Sequence, residues 1–123
     1  MSKAAPDALI DASLDYIAGS DRMIACSAEP TSYAEATGTY DLATATMTPV
    51  TDFTKANDTS GRKVTTAVKN DVMIDHDGDA THIALVKTGD TTLRAVTTCT
   101  LKTLTLGDKV NFPAWKWNIT DPT

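Results

Sequence analysis

At 123 residues, with 41% hydrophobic and 22% charged side chains, the chain has the size and balance of one domain that folds without needing a disulfide or a metal. A net charge of −5 argues against a nucleic-acid binder, which needs a basic face for phosphates, and against anionic membrane surfaces. Its longest apolar runs, such as Ile83-Ala84-Leu85-Val86, fall far short of the roughly 20 residues that span a bilayer. Asp7, Asp11 and Asp15 break the apolar stretch near the start, so no export signal is read and synthesis in a cytoplasm is expected.

The first expected element is a helix over about residues 6–18. Pro6 suits its first position, Asp7 suits the positive end of the helix dipole, and Gly19 stops it. Ile10, Leu14 and Ile17 form one apolar stripe, widened by Leu9, while Asp7, Asp11 and Asp15 form a separate acidic ridge. That ridge reads as a solvated face, or alternatively as a contact to a basic partner.

From residue 22 onward the chain is rich in threonine, valine and isoleucine at alternating positions, which predicts strands. "RMIACS" (22–27) is short, apolar and expected at the centre of a sheet. "EPTSYAEATG" (29–38) is a connection with a helical turn, stapled down by Tyr33 and Tyr40. "TYDLATATM" (39–47) and "PVTDFTKA" (49–56) are the next strands, and "NDTSG" (57–61) is a turn. "RKVTTAVK" (62–69) places Val64, Thr66 and Val68 on one face. "VMI" (72–74) and "THIALVK" (81–87) flank an acidic stretch. "TGD" (88–90) reads as a hairpin turn into "TTLRAVTTCTL" (91–101), the longest strand. A Gly107-Asp108 turn leads to one closing strand that carries Trp115, Trp117 and Ile119 on one face, with Pro113 marking an edge or bulge. Ile24, Leu85, Val96 and Trp115 are expected in the core. Short strands at this spacing, with no strand–helix alternation, predict a single mainly β domain over residues 1–123. The expected architecture is an antiparallel β-sandwich, Ig-like or jelly-roll-like, with one N-terminal helix. The termini "MSKAA" and "DPT" are expected to be its loosest parts.

The densest chemistry lies in "DHDGDATH" (75–82), which holds three aspartates and both histidines. Asp75, Asp77 and Asp79 alternate as in the first half of a calcium loop. Glycine falls at loop position 4 instead of 6, however, and position 12 is Val86 in a strand. His76 and His82 lack a third rigid ligand for zinc. The preferred reading is a polar turn, Asp77-Gly78, joining "VMI" to "HIALV" as a hairpin or loop tip, with Asp75, Asp77 and Asp79 as the candidate calcium site set against it. No phosphate-binding glycine motif and no G-x-S-x-G occur, so no catalytic residue is assigned, no cofactor is expected and the chain is read as a non-enzyme. Trp115 and Trp117 suit a core better than a sugar-stacking platform. Cys26 and Cys99 are too few for a disulfide framework and read as interior thiols, expected to be reduced.

Four segments, "DRMIACSAEPTSYAEA", "SGRKVTTAVK", "ATHIALV" and "VNFPAWKWNITDPT", occur in this order from about Ala8 to Thr123. Together they resemble a family of small virion-associated structural proteins encoded in the structural gene blocks of tailed bacteriophages and prophages. The resemblance implies a non-enzymatic virion component that decorates the head or the neck and collar, or alternatively belongs to the tail or fibre. It implies location in the virion after synthesis in a host bacterial cytoplasm. The implied partners are capsid, neck or tail proteins and further copies of the chain itself, with no nucleic acid and no membrane. A reading from a different class is a carbohydrate- or calcium-binding β module.

Overall fold

The computed structural model describes residues 7–57 and 62–119, with the side chains of 7–11, 118 and 119 excepted. The expectations on Asp7, Leu9, Ile10, Asp11 and Ile119, on the 57–61 turn beyond Asn57, and on both termini lie outside the described residues. Among the described residues helix α1 spans Asp7–Ala18, and nine strands follow: β1 Arg22–Cys26, β2 Asp41–Thr46, β3 Phe53–Asn57, β4 Arg62–Thr66, β5 Lys69–Met73, β6 Gly78–Lys87, β7 Thr92–Leu104, β8 Lys109–Phe112 and β9 Lys116–Ile119. A π-helical turn covers Glu35–Thr39. The fold is mainly β, with antiparallel sheets in a sandwich-like arrangement and one N-terminal helix. Among the described residues no helix is long and apolar enough to cross a membrane.

The principal sheet has the order β2-β1-β6-β7, and the strands β3-β4-β9 and β5-β8 form two smaller sheets. The centre of the principal sheet is apolar on both faces. On β1, Met23 and Ala25 enter the main core while Ile24 and Cys26 enter a second one; on β6, Ile83 and Leu85 face the main core while Ala84 and Val86 face the second. The main core is completed by Leu14 and Ile17 of the helix, Phe53 and Val64 of the three-stranded sheet, and Val110 and Phe112 of β8. The second core is closed by the 27–40 connection, through Ala36, Tyr33 and Tyr40.

That connection is held by its own polar groups. The Thr31 amide and hydroxyl both donate to Glu35 Oε1, at 2.8 and 2.6 Å. The Ser32 hydroxyl accepts from the Glu35 amide. The Tyr40 amide donates to Glu35 O at 2.9 Å, the five-residue step of a π turn, and the Ser27 amide closes the base onto Tyr40 O. The two Thr31 bonds favour the charged form of Glu35 and lower its pKa.

The helix is tied to the long hairpin by one side chain. Arg94 stacks its guanidinium 4.2 Å from the Tyr16 ring centroid and donates to Tyr16 O at 2.7 Å and to Asp90 Oδ2 at 2.8 Å. A Cβ at Gly19 would lie 2.8 Å from Arg94 Nη1, so this helix stop is a close approach, without the positive φ of a left-handed cap. Asp15 of the expected acidic ridge pairs with Lys55 of β3. Asp52 organises the link between β2 and β3: it accepts from the Thr48 amide at 2.6 Å and from Lys69 Nζ at 2.8 Å, which holds its carboxyl below the ordinary aspartate range.

Four expectations change. The closing strand is two strands, β8 and β9, in different sheets; Pro113 lies in the break, where it lacks the N–H that would continue a ladder. Val68 is exposed, because β4 ends at Thr66 and the chain leaves its face. Ile24 and Leu85 are fully buried, but Val96 and Trp115 are half-buried, each on the margin of a core. "VMI" and "HIALV" do not pair. Residues Lys69–Met73 pair with β8, while β6 lies between β1 and β7, so the Asp75–Asp77 segment crosses between sheets.

Two tests follow from these ties. Arg94→Ala should cost about 1–3 kcal/mol in urea unfolding, and Arg94→Lys should recover little of it, because a lysine cannot stack and fork in the same way. A wild-type midpoint for Arg94→Ala would overturn the clasp. Asp52 contributes stability that is complete above the ordinary aspartate pKa and lost as pH falls through its lower folded value. Asp52→Asn should therefore flatten part of the acid limb in a plot of melting temperature against pH.

Candidate functional surface

Three features could carry function: the histidine–aspartate stretch, a polar cleft on the outer face of the principal sheet, and an apolar cavity between β7 and β8. In the first, the strand connection sends the carboxylates to different places. Asp77 Oδ1 accepts from the Leu106 amide in the turn between β7 and β8, and Asp79 Oδ1 accepts from the Thr103 hydroxyl at 2.8 Å. Asp75 instead lines the polar cleft, and the amides of Asp75 and His76 donate to Leu42 O at the edge of β2. Gly78 allows a close pass, since a Cβ there would lie 2.9 Å from Leu42 Cδ2. Among the described residues no three His, Cys, Asp or Glu side chains converge in a metal-binding arrangement. The aspartates pin strands together and are more than a soluble tip.

The polar cleft encloses about 330 Å³ and is lined by Arg22, Tyr33, Thr37, Asp41, Asp75 and Thr88 among others. Arg22 Nε donates to Thr88 Oγ1 at 3.0 Å, and Thr88 is anchored to Asp21 through its amide and hydroxyl. Burial raises the Asp41 pKa; the Thr44 hydroxyl opposes that shift, and Asp75 adds to it. Asp41 therefore disfavours the folded state once it is ionised, a penalty relieved as pH falls. The cleft places one arginine beside two carboxylates, a balanced rim suited to polar contact.

Cys26 and His82 are register partners on β1 and β6, so both side chains leave the same face of the sheet. This is the closest approach to a Cys–His pair, and its chemistry runs away from nucleophilic catalysis. Burial, then the charges of Asp41 and Cys99, push the Cys26 thiol up to about 12, whereas an activated nucleophile needs a depressed value. The thiol lies over the carbonyls of Ile24 and Ala36, and His82 Nδ1 is engaged by the Thr81 hydroxyl at 2.9 Å. Cys26 is a packing residue. Cys99 lies half-buried against the main core, and the two thiols are not bridged.

Trp115 and Trp117 also pack against the main core. Trp115 Nε1 lies 3.2 Å from Met23 Sδ, and its backbone exchanges bonds with Thr66. This is a corner brace between β9 and the principal sheet, not an open stacking platform.

The apolar cavity was not signalled by any motif. It encloses about 210 Å³ between Ala25 and Ala80 on one side and Val110 and Phe112 on the other, with Cys99 and Lys102 toward β7. It exists because two inward positions of the principal sheet carry alanine where their neighbours carry methionine, isoleucine and leucine. The register between β6 and β7 also slips between Ala80 and His82, which draws Cys99–Leu101 out of the ladder. Ala25 and Ala80 stand on adjacent strands but are not register partners, since Ala25 pairs with Ile83 and Ala80 with Lys102, so no motif in the sequence marks the cavity.

Comparison of the chain with protein-family models, with curated proteins and with solved structures found no match.

Asp77→Asn combined with Asp79→Asn should leave the fold intact, since each amide oxygen can still accept the bond its carboxylate accepts. Added calcium should not raise the melting temperature of the wild type. A calcium-dependent rise that the double variant loses would restore the metal reading.

Proposed function

We propose that this chain is a non-enzymatic structural component of a tailed-bacteriophage virion, decorating the head or the neck and collar. The observation that carries this reading is the ordered set of four segments that resemble virion-associated structural proteins. Their positions in the fold support it. "DRMIACSAEPTSYAEA" is the central strand with its outer cover, "SGRKVTTAVK" contains β4, "ATHIALV" is the buried half of β6, and "VNFPAWKWNITDPT" begins with β8 and contains the Trp115 brace. The likeness thus falls on the framework, and the "DHDGD" stretch, where a ligand would have been sought, lies outside it. A scaffold whose ionic and hydrogen-bonding side chains mostly hold its own turns suits a part that is placed in many copies and must keep its shape. Many weak contacts on a symmetric shell then sum by multivalency.

The carbohydrate- or calcium-binding alternative rested on the tryptophans and the aspartate loop. Trp115 packs on the core, and Asp77 and Asp79 bond within the chain. Mass spectrometry and electron microscopy of purified particles test the proposal. The protein should be present at a fixed stoichiometry and appear as density on the head or neck. Density on the tail or fibre would move the address, and absence from particles would end the reading.

A further inference from the structure

Strand pairing turns one charged side chain toward the apolar cavity. Lys102 is the register partner of Ala80, which lies in the main core, so both leave the same face of the sheet. Leu104, two residues on and 2% exposed, shares that face. The neighbouring pair, Asp79 and Thr103, bonds to itself on the opposite face. Lys102 thus lines the cavity yet remains exposed, the position of a lysine whose stem follows apolar surface and whose ammonium stands at the mouth. No carboxylate belongs to the lining, and among the described residues Lys102 forms no ion pair. An inward lysine can serve by itself to keep an edge strand from pairing, and a cavity can be a gap in packing. Neither requires the other. Together they form an apolar recess with a single positive charge at its opening, the composition of a small-ligand site.

We propose that the cavity binds a small anionic amphiphile, a free medium-chain carboxylic acid, with its alkyl chain among Ala25, Ala80, Val110 and Phe112 and its carboxylate against Lys102. An apolar cavity of about 150 Å³ takes benzene. In proportion, the 210 Å³ here takes a chain of about eight carbons. The longer chain of a membrane lipid would leave much of itself in water, so the ligand is the free acid. Lysine meets the carboxylate as a point charge that does not impose one geometry. The bound chain supplies side-chain volume that the two alanines leave out, so occupancy stabilises the fold. The site rests on the cavity and its charge and stands apart from the virion reading.

Calorimetric titration and thermal melts of the purified chain test it, with octanoate, octan-1-ol and octylammonium as probes. A third readout is the alkylation rate of Cys99, which lines the cavity and is resolved from the buried Cys26 by mass spectrometry. At about ten times its Kd, octanoate should raise the melting temperature by about 3–6 °C and slow Cys99 alkylation about tenfold, in step with the unoccupied fraction. Octylammonium should do neither. Lys102→Met keeps the stem and removes the charge. It should fold normally, bind octanoate about tenfold more weakly and bind octanol as the wild type does. Ala80→Val, which narrows the cavity, should weaken octanoate and octanol alike. Failure of millimolar octanoate to bind overturns the inference. So does equal affinity for the three probes, or an octanoate affinity that Lys102→Met leaves unchanged, since either removes the role of the charge. Octanoate binding that leaves Cys99 unprotected lies elsewhere and overturns it too. A protein found in particles that ignores octanoate loses this inference alone, whereas one that binds octanoate but is absent from particles loses only the virion reading.

Discussion

The sheet at the centre of this molecule is apolar on both faces, and both must be hidden from water. Fully burying an aliphatic side chain stabilises by about 1.5–3 kcal/mol; Met23, Leu85, Ile24 and Val86 divide that gain between opposite sides of the same two strands. One face is covered by the helix and the two smaller sheets. The other is covered by a connection with little regular structure, which is why that connection carries so many local hydrogen bonds. A loop that serves as a lid over a core must satisfy its own amides while presenting Tyr33, Ala36 and Tyr40 inward. The π turn at Glu35–Thr39 supplies both.

The acidic character of the chain is put to the same use. Asp15, Asp52 and Asp90 reach cationic side chains, and Asp21, Asp77 and Asp79 hold amides or hydroxyls across the fold. Exposed ion pairs contribute little individually. Here several span elements distant in sequence, such as the helix with β3 and the 46–53 link with β5. They fix the relative placement of elements more than they add stability. That placement sets the cavity end of the molecule, where the turn bearing Leu106 is held by Asp77.

What could be read from the residues depended on how local the cause was. Apolar runs such as "MIAC" and "IALV" announce buried central strands because their composition leaves no wet face. Leu14 and Ile17 announce a helix through their spacing, and Gly107 announces a turn that uses its positive φ of 96°. The pairing of Lys69–Met73 with β8 was not legible, since nothing in "VMI" states which strand it will join. Asp77-Gly78 resembles a hairpin turn locally, yet its glycine serves a pass against Leu42 and its aspartate reaches the Leu106 amide, 29 positions away. The cavity was invisible for the same reason: it depends on which small side chains the strand pairing brings to one face of the sheet.

β7 is both the longest strand and an edge of the principal sheet. A flat run of 13 residues with one side open would template further strands without limit, the route to fibres. β7 is not flat. Its register slips twice against β6, near Arg94 and again at Cys99–Leu101, while at the opposite edge Ile74–His76 lies along β2. A chain built this way can be crowded against its own kind at high local density without its sheets running together. Any contact made at these two edges would be made by side chains and not by a continued ladder.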